Sequence, residues 1–425
     1  MSDSFFRIRK PVQVLSPRHL SFSALHDIEA CPAKWAMLHG AVFEGIGGNY
    51  PSRPHGSALR GQVVHYVLEQ FGNALEAAGN PPPGTDEYRA IRDRINIRQL
   101  IQKKRMQLRE SCAKNPRAML SLVDKEIQVD SCINTVKQLI ATCTFCTTGG
   151  TGAPYPAAAP SSSRTAGMKT GAALPPLLLE HWVQVEEPPL CGRIDFVSTH
   201  SHGDTITDFK TGKQQPEHAD QLDFYSLLWA KHTHRRIIER SVVYSTGDRN
   251  DFGELSTEQV DRLESQFKQR VCSALQAISD TAKAKPGVEN CGRCEVRQLC
   301  DPYWQSSQTT QLRWQFAEVC TDGQVQWKDV EFQLRDCTFS GNAMEAEFTG
   351  NEDSPTKIRC VVPTRFMESR KEEDNLLRMI DVLLTRRGPM IEIRWADNSE
   401  AYWGRVQTKN VEVATGSCGD VCNLN

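Results

Sequence analysis

The sequence predicts an α/β protein in which a mixed sheet is flanked by helices and followed by a smaller β-rich region. Three observations predict it. Two neighbouring runs, "GRIDFVS" from Gly192 and "ITDFKTG" from Ile206, alternate as strands do and are separated by a short polar turn. Segments with helical spacing of apolar residues stand before and after that pair. Beyond Trp304 the chain breaks into short alternating runs with polar turns. A length of 425 residues is enough for two or three domains, each with its own core.

Taken in order, residues 1–19 form an amino-terminal arm. In "LSFSALHDIEACPAKWAMLHG" a helix starts near Ser21 or Ser23, whose hydroxyls suit an N-cap, with Leu25, Ile28, Trp35 and Leu38 on its apolar stripe. Pro32 bends or restarts it. "SALRGQVVHYVLEQFGNAL" is a second amphipathic helix and carries His65, and "NPPPGTDE" breaks the pattern. Helical character resumes from Glu87 to about Thr142. There Arg89, Arg92, Arg94, Arg98, Lys103, Lys104, Arg105 and Arg109 stand against the one acid Asp93, as a phosphate-facing surface or as a solvated helix face. Residues from about 144 to 176 are rich in Gly, Ala, Pro, Ser and Thr; they bury too little apolar surface to offset their ordering entropy and read as a disordered insertion.

Strands resume with "LLLEHWVQVEE" and the alternating pair, then the helix "EHADQLDFYSLLWAKHT" and the strand "RRIIERSVVYSTG". The amphipathic helix "STEQVDRLESQFKQRVCSALQAI" leads to "CGRCEVRQLC" near residue 300. From 306 to 425 short strands are expected, with a helix near "NLLRMIDVLLTRR"; an oligonucleotide-binding barrel would fit this region.

Composition narrows the classes. Hydrophobic residues make up 39% and charged residues 24%, with a formal net charge of −2, so any nucleic-acid contact has to come from local basic patches. No run approaches the roughly 18 apolar residues of a membrane span. The amino terminus lacks a secretion-type apolar core, and fifteen cysteines without one argue for reduced thiols, hence a cytoplasmic protein.

The alternating pair also carries chemistry. Asp208 and Lys210 share one strand face while Phe209 points the other way, and Asp195 lies on the neighbouring strand. Burying such charges costs stability unless a ligand uses them. A divalent cation, magnesium or manganese, would use Asp195, Asp208 and the carbonyl of Phe209, since hard cations take oxygen donors. Lys210 is placed to orient or deprotonate a water, and His65 to complete the metal shell. Glu180, on the preceding strand, is either a further carboxylate ligand or a surface acid.

These pieces, in this order, resemble the RecB-type branch of the PD-(D/E)XK nuclease superfamily: "GQVVH" with His65, "GRIDF" with Asp195, "DFK" with Asp208 and Lys210, and Gln221 and Tyr225 in "QLDFY". The resemblance spans residues 20–305 and implies a PD-(D/E)XK core for them, with the insertion before Glu180 outside the family pattern. It implies that Gln221 and Tyr225, four apart on one helical face, steady the lysine and the DNA strand. Exonuclease action on single-stranded or end-containing DNA, in repair, recombination or antiviral defence, follows as an expectation, with a helicase or defence-system protein as a possible partner. A non-catalytic, partner-dependent DNA-binding scaffold is the alternative.

Cys291, Cys294 and Cys300 form a C-x2-C-x5-C set, with Cys31 as the candidate fourth ligand. On the residues alone zinc and an iron–sulfur cluster suit four thiolates equally. The set also resembles that of RecB-type nucleases with a cluster, namely AddB-like subunits and CRISPR adaptation nucleases. The resemblance implies a [4Fe–4S] group tying the first helix to the last. Cys143 and Cys146 flank the insertion, and Cys418 and Cys422 read as incidental.

Overall fold

The computed structural model describes residues 11–43, 48–118, 120–148, 177–279, 282–314, 325–334, 337–348, 356–388, 390–396 and 399–404. Strand β1 (Pro11–Val14) precedes helices α1 (Phe22–Ala30) and α2 (Pro32–Trp35), a π-helical turn and β2 (Ala41–Phe43). Helices α3 (Gly56–Ala77), α4 (Asp86–Arg94), α5 (Ile97–Lys114), α6 (Leu120–Glu126) and α7 (Val129–Thr148) follow. Next come β3 (Leu177–Val185), β4 (Leu190–His200), β5 (Gly203–Lys210), α8 (Glu217–Thr233), β6 (Ile237–Tyr244), β7 (Arg249–Asp251) and α9 (Thr257–Ser279). Short helices α10 (Val288–Cys291) and α11 (Asp301–Gln305) bracket the cysteines. The rest is β8 (Val325–Gln333), β9 (Cys337–Ser340), β10 (Ala343–Phe348), β11 (Thr356–Val361), α12 (Thr364–Met367), β12 (Leu376–Arg387), β13 (Met390–Arg394) and β14 (Glu400–Gly404). Apart from its first residues, which end α7, the expected insertion lies outside the described residues, as do Cys418 and Cys422.

The chain divides into two compact units interleaved in sequence. One comprises residues 18–25 and 53–271; the other comprises 1–17, 26–52 and 272–425. In the first, five strands lie in the order β3-β4-β5-β6-β7. All neighbours are antiparallel except β5 and β6, which run parallel across the α8 crossover. Alternation decides which faces are covered. Phe196, Phe209 and Val243 join the buried residues Val64, Leu68 and Phe71 of α3 in one core, with Ile101 of α5 and Val136 of α7 behind them. These α3 residues recur at helical spacing, so one stripe meets the sheet. Helix α8 buries Leu222, Phe224, Leu227, Leu228 and Trp229, none of them part of that core, and its Phe224 packs edge-on to Phe22 and Phe267.

The second unit holds a seven-stranded sheet in which β8, β13 and β14 all pair with β12. It has more strands than the five of an oligonucleotide-binding barrel. The helix expected near "NLLRMIDVLLTRR" is instead strand β12. Leu376, Leu377, Met379, Ile380, Val382 and Leu384 are all buried, and Asp381 takes a left-handed φ of 55° that breaks the pleat. A strand covered on both faces reads as a continuous apolar run, which periodicity alone does not separate from a buried helix.

Candidate active site

The site is built where the two central strands of the first unit part. Strands β4 and β5 pair regularly up to Phe196 and Thr207. Beyond that point the Asp195 carboxylate turns across the gap and accepts the N–H of Phe209 at 2.7 Å. Asp208 and Lys210 face away from Phe209, towards α8, as their alternation requires. Lys210 Nζ stands 2.7 Å from Asp208 and donates to Gln221 Oε1 at 2.8 Å; Gln221 Nε2 in turn reaches the Tyr225 hydroxyl at 2.9 Å. From α3, His65 Nδ1 lies 2.6 Å from Glu180 and 3.5 Å from Asp195. Groups from both faces of the sheet meet because the strands are parted. Of the predicted residues His65, Asp195, Asp208, Lys210, Gln221 and Tyr225 all converge here. Phe209 contributes its ring to the core and its N–H to Asp195.

Glu180, which the sequence left between ligand and surface acid, is buried and bonded to His65. Strand pairing resumes on either side of it, Leu179 with Phe196 and His181 with Ile194, so Glu180 sits opposite Asp195. Its φ is +52°, a left-handed conformation unusual for a non-glycine residue in a strand. Strain of that kind persists where the surroundings hold it and is often found at functional sites. Sequence reasoning also missed His218 and Tyr244, which share a 3.0 Å hydrogen bond and flank the Asp208–Lys210 pair electrostatically.

The donor set fits a hard cation. His65, Glu180 and Asp195 offer ligand atoms all within 4.8 Å of one another. Asp208 is 1% exposed, and neither carboxylate oxygen has a partner in hydrogen-bond geometry, so a buried anion is left with Lys210 alone. Burial raises the Asp208 pKa to about 6 despite the nearby lysine, and raises that of Asp195 as well. For His65 burial works downward, but Asp195, Glu180 and Asp208 outweigh it and lift the value to about 9. Burial likewise opposes the charge on Lys210, while Asp208 and Asp195 hold it as an ammonium, its pKa above the usual lysine value. Burial also raises the Tyr225 hydroxyl well above the usual tyrosine range, so it stays a neutral hydroxyl that accepts from Gln221.

These shifts fix a sign. His65 is raised from 6.5 to about 9, so its contribution to stability is complete below pH 6.5 and is lost as pH rises through 9. Asp208 is raised from 3.8 to about 6, so ionising it removes stability as pH rises from 3.8 through 6. Both slopes fall with pH in the metal-free protein. A divalent cation takes the deprotonated forms and works against them. The melting temperature measured with and without manganese should therefore diverge as pH is raised from 5 to 9. Asp208→Asn should raise the unfolding free energy of the metal-free protein above pH 6, by an amount on the order of 1–3 kcal/mol. A manganese effect that shrank with pH would contradict this ionisation scheme.

Two expectations concern regions outside this cluster. The basic stripe on α4 and α5 is largely paired: Arg89 with Asp86, Arg92 with Asp93, Arg98 with Asp130, and both Arg105 and Arg109 with Asp124. It is mostly a solvated, ion-paired surface. Cys31, Cys291, Cys294 and Cys300 belong to the second unit. Cys31 caps α2, Cys291 ends α10, Cys294 lies in the turn after it, and Cys300 caps α11. Each pair among the four thiols is close enough for one thiolate to raise the pKa of the other. Burial, the largest cause, lifts Cys294 to about 11 and Cys300 to about 12. Yet no three of them bring sulfur atoms within 4.8 Å of one another.

Three carboxylates, a histidine and a glutamine-anchored lysine gathered at one sheet suit hydrolytic chemistry assisted by a divalent metal. The sequence model of the PD-(D/E)XK nuclease superfamily matches residues 19–301. The chain belongs to that superfamily, whose members are typically metal-dependent phosphodiesterases. No curated protein matches the chain. A solved structure of a murine DNA-binding protein bound to double-stranded DNA is 10% identical, over 53% of this chain and 93% of that one, with a TM-score of 0.15; so low a score carries no weight for fold or function. No described helix is long and apolar enough to cross a membrane.

Proposed function

We propose that the chain hydrolyses DNA phosphodiesters, as an exonuclease on single-stranded or end-containing DNA, in repair, recombination or antiviral defence. The observation that carries this reading is the buried Asp208 carboxylate, left without a hydrogen-bond partner beside Lys210, Asp195, Glu180 and His65. His65, Glu180, Asp195 and Asp208 would hold magnesium or manganese, with the Phe209 carbonyl as a further donor. When bound, the ion supplies positive charge to the phosphate and acidity to water. Lys210 aligns the attacking water and offsets charge developing on the phosphate oxygens. Gln221 holds the Lys210 ammonium in place, and Tyr225 holds Gln221. The carboxylates that keep Lys210 protonated also tune how readily it exchanges a proton.

The four cysteines belong to the same proposal. Four thiols close enough to influence one another suit a shared metal group, and the resemblance to cluster-bearing RecB-type nucleases favours [4Fe–4S] over zinc. Lys34, whose ammonium is stabilised partly by Cys294, and Arg297, which lowers the Cys291 pKa, supply positive charge beside the thiolates. A cytoplasmic location is part of the same proposal, supported by a cysteine-rich sequence read as reduced thiols. The test is cleavage of end-labelled strands of both polarities, and of circles, with magnesium or manganese. Loss of label from linear strands with circles intact supports the exonuclease. Absence of cleavage with either metal, in the presence of intact binding, supports a scaffold and overturns the proposal.

A further inference from the structure

Beside the acids lies an aromatic residue that the hydrolytic chemistry does not use. Trp182 on β3 is 55% exposed, one of the few large apolar side chains left in solvent among the described residues. Its cross-strand partner on β4 is Arg193. Arg193 is itself half-exposed and donates to Glu69 at 3.2 Å. The positions are simple to relate to the site. Trp182 is two residues beyond Glu180, Arg193 is two residues before Asp195, and Glu69 is four residues beyond His65. Two residues along a strand advance about 6.6 Å and four along a helix about 6 Å. An exposed indole on β3 and a cation on β4 therefore sit one short step from the carboxylates. That step is about twice the ~3.4 Å rise of a stacked strand, the reach of one extended nucleotide.

We infer that Trp182 and Arg193 form a nucleotide subsite next to the reacting phosphate, in which Trp182 stacks on an unpaired base and Arg193 holds the phosphate of the same nucleotide. This inference rests on the proposed nuclease reading and specifies its substrate. Every base presents a face that an indole can cover, so the subsite binds without regard to sequence. A base inside a duplex is already stacked on its neighbours and is not available to Trp182, so the subsite selects single strands or frayed ends. The Arg193–Glu69 pair is a surface pair of the kind that contributes little, so a phosphate can take Glu69's place on the guanidinium.

Binding is the measurement, so that its outcome is separate from cleavage. Affinity is measured for fluorescent single-stranded oligonucleotides in calcium, using intact strands and strands carrying one abasic residue at successive positions from the end. In the wild type one abasic position should weaken binding by roughly 5- to 150-fold, the range of one base–aromatic stack. Trp182→Ala should weaken binding of intact strands by the same factor and show no further loss with the abasic strand. Trp182→Phe should restore most of the affinity, and Arg193→Gln should flatten the salt dependence. Equal affinity of Trp182→Ala and wild type, or an unchanged abasic penalty in Trp182→Ala, overturns the inference even if strands are cleaved. If strands are not cleaved but the abasic penalty disappears with Trp182, the nuclease reading fails while the subsite stands.

Discussion

Lys210→Ala should lower strand cleavage by about a hundred- to ten-thousand-fold, the range removed with a single positioned acid–base or charge-stabilising group. The argument rests on what holds the ammonium. Gln221 and Asp208 approach it at 2.8 and 2.7 Å, and Tyr225 fixes Gln221, so Nζ has one place to be and an alanine leaves that place empty. The fold should survive. Asp208 would lose its counter-charge, but its pKa already stands at about 6 and rises further without the lysine, so it takes a proton instead of forcing the strands apart. Calcium or manganese would restore the missing positive charge. The melting temperature with metal should then stay within a few degrees of wild type, and single-strand affinity within about threefold, because the ion or the added proton leaves no uncompensated buried charge in the site. Lys210→Arg should not rescue cleavage: a planar guanidinium presents its donors in a fork that the single Gln221 oxygen does not match. Cleavage by Lys210→Ala at near wild-type rate would remove Lys210 from the chemistry.

How much of this was legible depended on whether the signal was local. Asp208, Lys210 and Phe209 declare their faces through strand alternation, and Gln221 and Tyr225 through helical spacing, so these positions could be placed from a few residues each. Glu180 could not. Its approach to His65 depends on a left-handed φ in the middle of β3, and nothing in "LLLEHW" announces that. His218 and Tyr244 lie 26 residues apart and meet only because β6 runs parallel to β5 across α8. The basic stripe stayed open between two readings because Asp124 and Asp130, which pair with it, lie well beyond residues 89–109. In β12 the apolar run was visible, but its period was erased by burial on both faces. Local periodicity thus reports a side chain's face, while partners from distant strands and unusual backbone states come from the assembled sheet.

With the proposed [4Fe–4S] group bound, Cys294→Ser should remove the brown colour such a cluster gives and lower the melting temperature by an amount on the order of 10 °C. Cys294 is buried among Leu38, Phe43, Tyr50, Val296, Leu299 and Tyr402, and its thiol is raised to about 11, so without a metal group it is a neutral, poorly reactive side chain. Four such thiols near one another gain nothing by convergence. Cys31 raises the pKa of the other three, and Cys291 and Cys294 raise that of Cys300, so the arrangement is favourable only when protons are displaced by a positively charged group. That group would join Cys31 to cysteines 260 residues or more further along the chain, holding α2 to the α10–α11 segment. Serine keeps the size of the side chain but is a much weaker ligand for soft metals. The same loss should therefore follow from Cys31→Ser, and the two together should cost little more than either alone, since both remove one group. Cys112→Ser, at a buried thiol of the other unit, should leave the colour unchanged. Protein purified without air that is colourless and free of iron, yet holds one zinc, would replace the cluster by a single ion. With neither metal present, the convergence of these cysteines would be a matter of packing alone.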